Sequence, residues 1–196
     1  MSAPQALKKE SETFKILQLL VTTKKVLNRN GIKWWLDYGT LLGATRSGKL
    51  IPWDEDCDIS CMEKDKEQLS QLGPDFAARG FNLHTHSFND TGYQVYPSDP
   101  ISKAHLDIFT WYRDPITNLL RRRFYVGMTS STGTDRCKGR DFPIEWVETL
   151  SEITLEGEKF PAPKNPQDFC KFRYGDSWKT PMTVGEFNRK VPIRRD

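Results

Sequence analysis

The run Trp53-Asp54-Glu55-Asp56-Cys57-Asp58-Ile59 constrains this chain more than any other stretch. Successive side chains of a strand point to opposite faces, so Asp54, Asp56 and Asp58 share one face if the strand starts at Asp54. Carboxylates two residues apart on a strand sit about 6–7 Å apart at the backbone, and their tips can close on one hard cation or bridge two. Three like charges on one face make a poor core, and a bound cation explains them simply. A solvated acidic turn is the plainer alternative, since charge runs are usually solvated. Leu106-Asp107-Ile108-Phe109 sets a further carboxylate inside an apolar strand, where burial without a partner is costly. A metal shared by Asp56, Asp58 and Asp107 would stabilise it; an edge-strand aspartate facing water is the competing reading.

The surrounding pattern alternates strands and helices. Ser11 to Asn30 has apolar residues near helical spacing, and Asn30-Gly31 stops it. Ile32 to Tyr38 alternates like a strand, Gly39-Thr40 ends it, and a short helix covers Leu41 to Arg46. Asp56 to Met62 is a second strand; Lys64 to Arg79 is helical with a break at Gly73-Pro74. Phe81 to His86, Tyr93 to Tyr96, Leu106 to Tyr112 and Leu119 to Met128 are further strands, and Ser130 to Arg140 is loop-like. After Gly157 the chain is proline-rich, then a helix from Gln167 to Tyr174 ends at Gly175. These elements predict one α+β domain over 32–181, a helical lead-in over 1–31 and a tail over 182–196.

Composition removes several function classes. The chain has 196 residues with 12% aromatics, too many for a disordered protein, and a mean hydropathy of −0.64 without a long apolar run, so no membrane span is expected. A net charge of +3 is too balanced to imply nucleic-acid binding. Four cysteines with no C-x-x-C pair suit neither a disulfide scaffold nor a structural zinc site. No secretory h-region opens the sequence, so the default expectation is a cytoplasmic protein. Charge is nonetheless uneven. Residues 54–67 hold seven acids against two lysines, and residues 113–140 hold seven bases against two aspartates. An acidic site facing a basic region suits a metal and an anionic substrate.

Upstream of the acids, Tyr38-Gly39-Thr40-Leu41-Leu42-Gly43 follows a strand and opens a helix. Gly39 lets a ligand approach the backbone closely, and the helix N-terminus offers N–H groups to a phosphate with Thr40 as a hydroxyl donor. Arg46 is placed to pair with a second phosphate; a surface arginine is the plainer reading.

The segments Leu36-Asp37-Tyr38-Gly39-Thr40-Leu41-Leu42-Gly43-Ala44-Thr45-Arg46 and Ile51-Pro52-Trp53-Asp54-Glu55-Asp56-Cys57-Asp58 resemble the signature of the LicD family, which includes bacterial phosphocholine transferases and the fukutin and fukutin-related proteins. The tail Phe172-Arg173-Tyr174-Gly175-Asp176-Ser177-Trp178-Lys179-Thr180-Pro181 is similar to the family's closing segment. The sequence departs from the family at Cys57 and Glu55, and the family's membrane anchors and zinc-binding insertion are not found in it, which leaves Golgi or membrane association open. The resemblance implies a nucleotidyltransferase-like mixed sheet with flanking helices. It implies a Mg²⁺- or Mn²⁺-dependent phosphotransferase that takes a CDP-activated alcohol such as CDP-choline or CDP-ribitol, passes the phospho-alcohol to a glycan hydroxyl, and releases CMP. Asp56, Asp58 and Asp107 would hold the metal, Asp54 would hold the acceptor hydroxyl or act as its base, Gly39 and Thr40 would line the phosphates, and Arg46 would clamp one. On charge alone, one or more of Arg121, Arg122 and Arg123 would meet the nucleotide or an anionic acceptor. A true nucleotidyltransferase and a non-catalytic nucleotide-binding homologue are the competing functions.

Other conspicuous residues carry plainer expectations. His84 and His86 form an H-x-H that reads best as ordinary strand histidines. His105 should share the face of Asp107, as a structural histidine before a partner of the site. Trp34, Trp35, Trp111, Trp146 and Trp178 are expected in the core or at its edge, Tyr174 to Trp178 as a structural clasp, and Cys57 and Cys61 as buried thiols.

Overall fold

The computed structural model describes residues 3–85, 92–99, 101–122 and 141–181, with side chains described from Glu12 onward. His86, Arg123, the second half of the strand expected to reach Met128, the loop to Arg140, Cys137 and the tail 182–196 lie outside the described residues.

The first helix, α1 (Ala3–Arg29), starts earlier than its apolar spacing suggests. It stops where the sequence says it should: Gly31 takes φ +67°, and the Ile32 N–H returns to the Leu27 carbonyl. Ile16, Leu19, Leu20, Val26 and Leu27 are buried along it, so the lead-in is part of the core. No helix among the described residues is long and apolar enough to cross a membrane.

Next come β1 (Trp34–Leu36), α2 (Tyr38–Ser47) and β2 (Asp56–Met62). Two short helices, α3 (Lys66–Ser70) and α4 (Gly73–Ala77), lead into β3 (Phe81–Thr85) and β4 (Gly92–Pro97). Then follow β5 (His105–Arg113), β6 (Leu119–Arg121), β7 (Phe142–Pro143) and α5 (Glu145–Glu148). The described chain closes with β8 (Ser151–Leu155), β9 (Glu158–Ala162) and α6 (Pro166–Tyr174).

The main sheet runs β1-β2-β5-β4-β3, with β6 and β7 added beyond the end of β5. Its central pair, β2 and β5, is parallel, and the other pairings are antiparallel. The arrangement is the expected α+β class: a mixed sheet, flanking helices and an N-terminal helix. α1 lies across β2, β4 and β5, over the face lined by Cys57, Ile59, Cys61, Leu106 and Ile108, all fully buried. α2 and α6 cover the face that carries Ser60 and Trp111, and this second face also carries the acids.

The hairpin β8–β9 is absent from the sequence reading. Pro161 and Pro163 argue against strands, yet Leu155 and Phe160 are buried inward and Glu156-Gly157 makes the turn, both with positive φ. The hairpin supports α2. Leu50 N–H donates to Glu156 Oε1 at 2.9 Å, and Lys49 Nζ meets Oε2 at 3.0 Å. The loop from α2 to the acidic run is thereby held down before β2 begins.

Candidate active site

The parallel register sets the geometry. Asp56 stands beside His105 and Asp58 beside Asp107. Residues paired in register share a face, so two neighbouring strands bring four titratable groups to one surface. Within it, Asp56, His105 and Asp107 each offer a ligand atom, all within 4.8 Å of one another. Two atoms bound to one divalent ion at about 2.0–2.4 Å lie between about 2.8 and 4.8 Å apart, so this donor set fits such an ion with little movement. His105, expected as a structural histidine, belongs to this group; its place two residues before Asp107 was the signal available in the sequence. Gln94 on β4 stands opposite Asp107 and donates from Nε2 to Asp107 Oδ1 at 3.0 Å.

Asp58 is not in that close group. It is nearly buried, at 9% exposure, and its Oδ2 accepts the Gly39 N–H at 3.2 Å. Its backbone N–H donates to Thr40 Oγ1 at 2.7 Å. Thr40 is itself buried, so this hydroxyl ties α2 to β2. Asp54 is half-buried and lies over Gly39. A Cβ built on Gly39 would meet Asp54 Oδ2 at 2.8 Å and Asp58 Oδ2 at 3.6 Å. The close approach that needs glycine is thus made by two of the chain's own carboxylates. An anion at a helix N-terminus is also favoured by the backbone dipoles. Arg46 lies seven residues beyond Gly39, about two turns and about 10 Å along the α2 axis. At that end its charge is felt by the Cys170 thiol of α6.

A second polar system lies deeper on the same face. Asp37, fully buried, caps α2 by accepting the Tyr38 N–H at 2.8 Å. Its other oxygen accepts from Ser60 Oγ at 2.7 Å and Arg173 Nη2 at 2.9 Å. Trp111 Nε1 donates to Ser60 Oγ at 2.9 Å. The Arg173 guanidinium stacks among the rings of Tyr38, Phe169, Trp111 and Phe142, with centroids at 4.4–5.5 Å. Four rings partly replace water around the cation. The pair was not foreseen, although Asp37 and Arg173 both lie in quoted segments: they are 136 positions apart, and only the fold brings them together.

Of the basic triplet, Arg121 is engaged away from the acids, with Asp114 at 2.8 Å and Asp141 at 2.7 Å. Arg122 donates to the Tyr38 hydroxyl at 3.1 Å and lies over Phe109, 4.3 Å from its centroid. It is the basic residue of the pair that borders the start of α2. Burial pushes the Tyr38 phenol up, against the charges of Arg173 and Arg122. Burial also pushes the Tyr174 phenol well up, with Arg173 opposing and Asp58 reinforcing, so both rings are neutral near pH 7.

Trp34, Trp35, Trp111 and Trp178 are buried and Trp146 packs against the core, while Trp53 is 44% exposed beside Asp54. Cys57 and Cys61 are buried thiols, pushed up first by desolvation. His84 is exposed and lies against the Tyr96 ring at 4.8 Å. Asp176 pairs with Lys171 at 2.9 Å, on the surface.

From the acids, the same face continues across β4 and β3 as a cavity of about 550 Å³, lined by Asn82, Gln94, Tyr96, Asp99, Lys103 and His105 among others. Gln94 and His105 are shared between this cavity and the acidic group.

Residues 31–165 match the family model described as LicD/FKTN/FKRP, nucleotidyltransferase domain. The chain is 34% identical over 114 residues to an uncharacterised protein of Rickettsia prowazekii, covering 56% of this chain and 40% of that one. It is 28% identical over 155 residues to human ribitol 5-phosphate transferase FKRP, covering 76% of this chain and 29% of the relative. It is 25% identical over 177 residues to human ribitol-5-phosphate transferase FKTN, covering 89% and 35%. The matches therefore span only about three tenths to two fifths of the length of these relatives. Among solved structures, the lincosamide antibiotic adenylyltransferase LnuA superposes with a TM-score of 0.52 at 14% identity, covering 89% of this chain and 97% of that one. That likeness is one of fold.

Proposed function

The chain belongs to the LicD/FKTN/FKRP family, and from that premise we propose that it is a metal-dependent phosphotransferase using a CDP-activated alcohol of the ribitol or choline type. The acceptor is a glycan hydroxyl and the leaving group is CMP. The observation that carries this reading is the convergence of Asp56, Asp107 and His105 on the sheet face where α2 begins. The relatives named as ribitol-phosphate transferases support a phospho-alcohol as the group transferred.

In this reading the acceptor oxygen attacks the phosphorus that carries the alcohol. The bond from that phosphorus to the bridging oxygen breaks, and CMP leaves with the electron pair. Such transfers depend on placement and charge neutralisation more than on a special nucleophile. Asp56 and Asp107 would hold the divalent ion, with Asp58 beside them, and when bound it would neutralise the pyrophosphate oxygens. The Gly39 N–H and the start of α2 would face the phosphates once Asp58 shifts its hydrogen bond. Thr40 acts by keeping α2 against β2. Asp54, above Gly39, would accept the proton of the attacking hydroxyl. Arg122 is better placed than Arg46 to meet donor phosphate, because it borders Tyr38 at the start of α2. The cavity over β4 and β3 would take the acceptor: planar amides such as Asn82 and Gln94 pair with sugar hydroxyls, and the ring of Tyr96 offers an apolar face.

The test is to supply CDP-ribitol or CDP-choline, labelled separately in the cytidine and the alcohol, with Mn²⁺ and a panel of glycans. Mass gain on the acceptor by the phospho-alcohol, with free CMP, is the expected result. Attachment of the cytidine half would establish a nucleotidyltransferase instead, and binding without any product would point to a non-catalytic homologue.

A further inference from the structure

The close group contains one nitrogen among its oxygens. His105 Nε2 lies 3.9 Å from Asp56 Oδ2, and the other ring nitrogen, Nδ1, lies 3.1 Å from the Lys103 carbonyl oxygen. A carbonyl oxygen can only accept, so Nδ1 carries the hydrogen. In the neutral ring, Nε2 then presents a lone pair toward the carboxylates. Lone pair against carboxylate is repulsive, and a shared cation turns that repulsion into coordination. Metal-bound imidazoles are commonly held this way, the far nitrogen donating to a backbone carbonyl and so fixing tautomer and ring plane. Asp107 is braced in the same manner by the Gln94 amide at 3.0 Å.

We propose that His105 is a direct ligand, through Nε2, of the divalent ion held by Asp56 and Asp107. The consequence is that the site selects a first-row transition ion such as Mn²⁺ over Mg²⁺. This rests on the reading above that a divalent ion is held here. Mg²⁺ favours oxygen donors and gives up its water reluctantly, whereas first-row transition ions accept imidazole nitrogen, Mn²⁺ least strongly among them but more readily than Mg²⁺. A site of two carboxylates and one imidazole therefore discriminates where a site of three carboxylates would not.

Mn²⁺ binding to the full chain, with and without CDP, tests this by electron paramagnetic resonance. The expected spectrum shows ¹⁴N modulation from a coordinated imidazole, lost in His105→Gln. Mn²⁺ affinity in that variant should fall by more than the about tenfold to hundredfold that loss of a ligand's hydrogen-bonding partner costs, and Mg²⁺ should compete correspondingly better. His105 is partly exposed, so the variant should keep the wild-type circular dichroism spectrum. Mn²⁺ bound without a nitrogen signal in the wild-type chain, or unchanged selectivity in His105→Gln, overturns the role of His105 and leaves the metal-dependent reading standing. No Mn²⁺ bound under either condition overturns both.

Discussion

Two polar systems share one face of the β2–β5 pair, and they are built oppositely. Around Asp37 the chain supplies every partner of the carboxylate itself: a cap N–H, a serine and a guanidinium held among four rings, all sealed from water. Around Asp56 and Asp107 it supplies carboxylates, a histidine and a bracing glutamine at half-exposed positions, and among the described residues no lysine or arginine pairs with either acid. Only Ile59 separates Asp58 from Ser60 on the same strand, and the two share a face. The inner system neutralises its charge within the chain and holds α2 and α6 to the sheet. The outer one leaves charge for something from outside to neutralise. Stability and chemistry are therefore separable by substitution.

Asp56→Asn should give the largest effect, about a thousandfold or greater loss of CMP release with an unchanged melting temperature. A stability loss of comparable weight would erase the contrast. Arg173→Met should do the reverse: it strands Asp37 in the interior and should cost about 3–5 kcal/mol in urea denaturation. Asp37→Asn combined with Arg173→Met should cost less than the two singles together, since each removes the other's missing partner. Gly39→Ala sits where the systems meet. Its methyl displaces Asp54, so turnover should fall by about tenfold to a hundredfold while the fold holds.

The sealed region should also show itself at alkaline pH. In the unfolded chain thiols ionise near ~8.5 and tyrosines near ~10. Burial keeps Tyr38, Tyr174, Cys57, Cys61 and Cys170 protonated beyond that, with Cys170 pushed up to about 12. The folded form then holds more protons, so stability is intact below about pH 8 and declines as pH rises past it. A melting temperature flat to pH 11 would contradict this. The smallest effect belongs to Glu156→Ala. Losing the bond to the Leu50 N–H should cost about 1 kcal/mol by denaturant titration and leave metal affinity unchanged.

The outer system was largely legible in the sequence because it is local. Asp54, Asp56 and Asp58 alternate along a few residues, and Gly39 lies where a strand gives way to a helix, in the first turn of α2. Asp107 is marked by the apolar neighbours that make it anomalous. His105 was only half legible: its face followed from Asp107, but its nearness to Asp56 depends on the parallel register. The inner system was illegible for the same reason in stronger form, since nothing local in Asp37 or Arg173 reveals the other. The β8–β9 hairpin was hidden by its prolines, which usually mark non-strand segments. Tyr38 ended an apparent alternation, yet it starts α2 at φ +42°, a turn that Asp37 and Arg173 together stabilise.

The most direct test of the central claim is calorimetric titration of CDP into the chain with Mn²⁺, with Mg²⁺ and with EDTA. Binding that requires the ion, is tighter with Mn²⁺, and vanishes in Asp56→Asn is the predicted result. Equal binding in EDTA, or no binding with any ion, would contradict it.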